Sequence, residues 1–117
     1  WALHAGGGSA PLDTCVLFSS IAALFGLAGQ ANYSAANATL DALSSYRRVQ
    51  GQAAVSMQWG AWAEVGMASR GAASDRFAAM EKASGMGRIG LAQGLAALQT
   101  AVRHSGSPVL GAVPVSW

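Results

Sequence analysis

Thr14-Cys15-Val16-Leu17-Phe18 is an unbroken apolar run with β-favouring side chains, closed by Ser19 and Ser20. With no polar alternation, it predicts a strand buried on both faces, as in a parallel sheet. Ile21 to Gly29 stays apolar but is interrupted by Gly26 and Gly29, and predicts a loop or a short broken helix. From Gln30 to Val49 the period turns helical: Ala36, Leu40 and Leu43 fall at i, i+4 and i+7, and Arg47, Arg48 and Gln50 crowd the end before Gly51. Gln52 to Trp59 predicts a second strand, with Val55, Met57 and Trp59 alternating against Ser56 and Gln58. The glycine-rich stretch Ala61 to Gly90 admits a short helix between Ser74 and Ala83. Leu91 to Val102 predicts a helix with Leu91, Leu95, Leu98 and Val102 on one stripe. A turn at Ser105 to Ser107 leads to a third strand, Val109 to Val115. Upstream, Trp1 to Ala5 reads as a helix end stopped by Gly6-Gly7-Gly8, and Gly6 to Pro11 as a surface loop. Strand, helix, strand, helices, strand is the order of an α/β fold with a parallel sheet and crossover helices.

Composition narrows the function classes. The chain has 117 residues, room for one domain or part of one. Hydrophobic residues make up 52% and charged residues 10%, which excludes intrinsic disorder. The longest apolar candidate for a membrane span, Cys15 to Leu27, is broken by Ser19, Ser20 and Gly26. No basic region precedes an apolar run, so no targeting signal is visible and a cytoplasmic location is expected. A net charge of +2, with Arg47-Arg48 the one adjacent basic pair, is too sparse for a nucleic-acid surface. The single cysteine, Cys15, excludes an internal disulfide and is expected to be a buried, inert thiol. His4 and His104 give no metal-site spacing, so no metal is expected.

Two places can carry chemistry. Ser20 follows the carboxyl end of the first strand, where open α/β sheets bind ligands; the plainer reading is a serine satisfying backbone groups at a strand end. Tyr33 and Asn37, four residues apart on a helix, project from one face. The first can donate a proton, and the second can donate and accept hydrogen bonds among small alanines. A helical tyrosine also serves as a core or rim aromatic.

Taken together, Leu17-Phe18-Ser19-Ser20, Gly29-Gln30-Ala31-Asn32-Tyr33-Ser34-Ala35-Ala36-Asn37 and Gln58-Trp59-Gly60 resemble the ketoreductase domain of polyketide synthases, a branch of the short-chain dehydrogenase/reductases. Thirteen positions separate Ser20 from Tyr33, as in that family. Most short-chain dehydrogenases carry lysine where Asn37 stands; polyketide ketoreductases have asparagine there and bring the lysine from an earlier helix.

The resemblance implies the C-terminal half of a Rossmann-like, doubly wound parallel sheet, with residues 1–117 forming a partial ketoreductase catalytic subdomain. The nucleotide-binding βαβ units and the lysine, about five residues before Trp1 by this alignment, would lie outside it. No G-x-G-x-x-G loop is expected in this chain, so the dinucleotide cradle would also lie outside it. The implied activity is NADPH-dependent reduction of a β-ketoacyl chain, tethered through phosphopantetheine to an acyl carrier protein, to the β-hydroxyacyl thioester. Tyr33 would be the general acid, Ser20 the second donor to the ketone, and Asn37 a member of the proton relay. Hydride arriving at a carbonyl carbon creates an alkoxide that needs donors in place. Gly60 and Ala61 would approach the nicotinamide by backbone, while Trp62 and Met67 would line the acyl pocket; an ordinary glycine-rich loop covering core is the other reading. The expected partners are the carrier protein and other domains of the same synthase. Where L-directing members carry tryptophan, eight residues before Tyr33, this chain has Phe25, so that assignment gains no support. The rival readings are an inactive fragment of the same fold and a scaffold module.

Overall fold

Val55, Met57 and Trp59 project from one face of the second strand, and Ser56 and Gln58 from the other, and the layers divide along that line. The computed structural model describes residues 2–7, 11–26, 28–63, 71–103 and 105–116. Three parallel strands lie in the order β1-β2-β3: β1 is Val16–Ser20, β2 Val55–Trp59 and β3 Val109–Ala112. Val16 stands opposite Val55, Ser20 opposite Trp59, and Trp59 opposite Ala112. Helix α1 (Ala2–Gly7) precedes β1, and the single-turn α2 (Ala22–Phe25) follows it. Helix α3 (Ala31–Val49) makes the crossover to β2, and α4 (Gly71–Ser84) and α5 (Leu91–Arg103) lie between β2 and β3.

The apolar face of β2 meets Ile89 and Ala101, the latter on α5, and these five residues are the buried core. The polar face meets α3. Ser56 Oγ and Gln58 Nε2 donate to Asp41 at 2.7 and 2.8 Å, and Ser44 Oγ donates to the Pro108 carbonyl at 2.7 Å. Polar side chains can sit under that helix because each finds a partner.

Six local expectations change. β1 is half-buried rather than buried on both faces, with Phe18 57% exposed. Helix α1 runs on through Gly6 and Gly7 instead of stopping at Ala5. Ser19 and Ser20 lie inside β1 rather than after it, paired with Gln58 and Trp59, because Ser19 Oγ has an acceptor in the Asn37 carbonyl at 3.2 Å. The third strand stops at Ala112; Pro114 has no N–H to extend the ladder, and Val115 makes an isolated antiparallel bridge to Met86. Cys15 is half-buried rather than buried. In α5 three members of the expected stripe face outward, with Leu91 56%, Leu95 57% and Val102 47% exposed; only Leu98 packs on the core, beside Ala97 and the buried Gly94 and Ala101. Small residues let the helix axis close onto β2, which outweighs the larger payload of the leucines.

The basic pair closing α3 ties segments together instead of capping carbonyls of its own helix. Buried Arg47 donates to the Ala53 carbonyl at 3.4 Å and lies 3.0 Å from His4 Nδ1, while Arg48 bonds the Ser105 and Gly106 carbonyls.

Candidate active site

Ser20 is the last residue of β1, and its hydroxyl oxygen accepts the Ala22 N–H at 3.2 Å. That bond starts α2, as the plainer reading of the serine expects. It engages only the oxygen's acceptor side, so the hydroxyl proton can still be donated. The neighbouring Ile21 N–H donates to the Trp59 carbonyl at 3.1 Å, holding the ends of β1 and β2 together.

Tyr33, half-buried, lies in the first turn of α3. Asn37 is 7% exposed one turn on, and its Nδ2 donates back to the Tyr33 carbonyl at 2.9 Å. The Asn37 carbonyl in turn accepts from Ser19 Oγ. A continuous run of bonds therefore joins β1 to the turn carrying the phenol, and brings Ser20 and Tyr33 to the same end of the sheet. That is the carboxyl end, where ligands of open α/β sheets bind.

The residues after β2 are occupied differently. The Gly60 N–H donates to the Ala112 carbonyl at 3.0 Å, and a Cβ on Gly60 would stand 3.2 Å from Val113 Cγ2. Glycine there serves close packing on β3. The Ala61 carbonyl accepts from Ile89 at 2.8 Å, and the Ala63 N–H returns a bond to Ile89 at 3.0 Å. The Ala61 N–H takes no part in that pairing. Trp62 packs at a tilt on Trp59, ring centroids 5.1 Å apart and planes 47° apart, and lies across Gly94 of α5, where any Cβ would overlap its indole. Its surroundings are those of a side chain covering core. Met67 falls outside the described residues.

One run does carry the G-x-G-x-x-G spacing. Gly85-Met86-Gly87-Arg88-Ile89-Gly90 leads directly into α5, but it follows helix α4 instead of a strand. Its amides are spent on the protein: Gly85 donates to Glu81 at 2.9 Å, Gly87 to Pro114 at 2.8 Å, and Gly90 to Gln93 Oε1 at 3.0 Å. Gly85, at φ +70°, ends α4. With its glycine amides engaged, the loop lacks the free set that cradles a pyrophosphate. The one lysine, Lys82, is exposed in the last turn of α4.

Composition gave no sign of two orphaned polar atoms beside these residues. Ser34 Oγ, next to Tyr33, and Trp59 Nε1, next to Gly60, are buried without a partner among the described residues.

Comparison with known proteins places this arrangement. The family model described as KR domain matches residues 1–64. A phthioceranic/hydroxyphthioceranic acid synthase of Mycobacterium tuberculosis is 39% identical over 117 residues, covering 96% of this chain and 6% of the synthase. Polyketide synthase GfsB of Streptomyces halstedii is 57% identical over 65 residues, covering 56% of this chain and 1% of that protein. Among solved structures, A-type ketoreductases from a modular polyketide synthase superpose with a TM-score of 0.86 at 38% identity, over 98% of this chain and 23% of theirs. The chain thus spans a small part of the proteins it matches.

Proposed function

This chain belongs to the KR-domain family of polyketide synthases, and we propose that it supplies the C-terminal part of a ketoreductase catalytic subdomain. The reaction is NADPH-dependent reduction of a β-ketoacyl thioester, carried by phosphopantetheine on an acyl carrier protein, to the β-hydroxyacyl thioester. The observation that supports this reading is the run of bonds from Ser19 through Asn37 to Tyr33, which ties the Tyr33 turn to the strand that ends at Ser20.

Bound NADPH supplies a hydride to the β-carbonyl carbon. Ser20 donates its hydroxyl proton as a hydrogen bond to the ketone oxygen, its own oxygen already held by the Ala22 amide. Tyr33 transfers its phenolic proton to that oxygen as negative charge develops, so that no free alkoxide has to form. Asn37 holds the turn that carries the phenol. The Ala61 N–H, which takes no part in the pairing with Ile89, suits the nicotinamide end of the cofactor. The phosphates and the cation that assists Tyr33 require residues beyond those described here, since the Gly85–Gly90 amides are occupied and Lys82 lies on α4. Trp62 anchors the segment after β2 through its packing on Gly94, and Met67 remains the proposed acyl-pocket contact.

The test uses the intact ketoreductase domain, a short β-ketoacyl thioester and NADPH deuterated at the transferable position. The expected product is the β-hydroxyacyl thioester with deuterium on its β-carbon, formed in step with NADPH oxidation. NADPH left unoxidised, or a product without label, would contradict the reading.

A further inference from the structure

Asn37, Asp41 and Ser44 fall at i, i+4 and i+7 on α3, and each bonds a different part of the sheet. The Asn37 backbone carbonyl accepts from Ser19 of β1, the Ser44 hydroxyl donates to Pro108 at the entry to β3, and the Asp41 carboxylate takes two bonds from β2. Asp41 differs from its neighbours on the stripe. It is the charged member, it uses both carboxylate oxygens, and its donors, Ser56 and Gln58, lie two residues apart along one strand face. Two bonds at separate points on a rigid strand fix both the rotation and the axial position of the helix. Ser56 is 0% exposed, so water cannot substitute for the carboxylate there.

We infer that Asp41 is a positioning residue for the reduction: its clasp on Ser56 and Gln58 sets the placement of the Tyr33 phenol relative to Ser20. This rests on the reading of Tyr33 as proton donor. Tyr33 lies eight residues, about 12 Å, along the axis from Asp41. A tilt of roughly 5° about Asp41 then displaces the turn carrying Tyr33 by about 1 Å. Misplacement on that scale lowers a reaction rate on the order of 10²-fold. The other two contacts on the stripe are single neutral hydrogen bonds, which hold the helix to the sheet without defining its angle.

The experiment is a double-mutant cycle on kcat in the intact domain, with NADPH Kd and melting temperature measured for every variant. Asp41→Ala should lower kcat by about 10- to 10²-fold while NADPH Kd stays unchanged. Asp41→Asn should recover most of that, because a flipped Gln58 amide can accept from the new carboxamide while Ser56 still donates to its oxygen. In a Tyr33→Phe background, Asp41→Ala should cost almost nothing further, since the group it positions has gone. Equal factors in the two backgrounds would show that Asp41 merely stabilises the fold, and would overturn the inference. So would unchanged kcat in Asp41→Ala, or equal losses in the Ala and Asn variants, which would assign the effect to charge. If Asp41→Ala does not fold, Gln58→Ala, which removes one of the two strand donors, enters the same cycle with the same reading. Wild-type turnover in Tyr33→Phe alone would be a separate result, counting against the proposed function itself.

Discussion

In the proposed mechanism Ser20, Tyr33 and Asn37 do different work at short range, and substitutions should separate them. Ser20→Ala removes one donor to the developing oxyanion, a loss on the order of 10²- to 10³-fold in kcat. It also removes the side-chain acceptor of the Ala22 amide, which costs about 1 kcal/mol. Turnover should therefore fall far more than stability, as steady-state kinetics and a thermal melt on the same preparation would show. Asn37→Ala removes one side-chain bond to the Tyr33 carbonyl, which already accepts the helical N–H, so the stability loss should be about 1 kcal/mol. Its kcat should drop while NADPH Kd holds; full activity would make the amide structural only. These three residues could be proposed from the sequence because the family spacing survives in the linear chain. Asp41 could not be, since its partners Ser56 and Gln58 lie on another strand and only the sheet register reveals them. The G-x-G-x-x-G run shows the opposite failure: its spacing is present, but a helix precedes it and its amides are occupied.

Among the elements, α5 is the one whose existence was legible and whose orientation was not. Hydropathy points its leucines inward, yet close approach to β2 requires the Gly94 and Ala101 face, with Trp62 laid across Gly94. Glycine inside a helix ordinarily costs about 1 kcal/mol relative to alanine, so Gly94→Ala would help an isolated helix. Here the added methyl overlaps the Trp62 indole, and overpacking costs about 1–3 kcal/mol. The packing term should win. Gly94→Ala is expected to lower the melting temperature and shift tryptophan emission as Trp62 is displaced; a stabilised variant with unchanged emission would show that the contact is soft. The strands were easier to read: the short apolar run and the clean alternation each mark a strand, but only β2 is buried throughout its apolar face, while β1 stays half-buried with Phe18 exposed.

Taken whole, these residues leave much apolar surface uncovered. Phe18, Leu24, Phe25, Val49, Leu91 and Leu95 are exposed, and the outer edge of β1 has no partner among the described residues. The radius of gyration is 15.1 Å, against about 13.4 Å for a compact domain of this length. A polypeptide of these 117 residues alone should self-associate and bind NADPH only weakly, because it exposes an unprotected edge and presents no free phosphate cradle. Size-exclusion chromatography and NADPH titration check both; a monodisperse monomer binding one equivalent would contradict them. The central claim, that Tyr33 delivers the proton in ketone reduction, is tested most directly by kcat of Tyr33→Phe in the intact domain on a β-ketoacyl thioester with saturating NADPH. The ring keeps its packing and only the hydroxyl is lost, so kcat should fall on the order of 10²-fold or more with unchanged circular dichroism and NADPH Kd; turnover near wild type would contradict the mechanism.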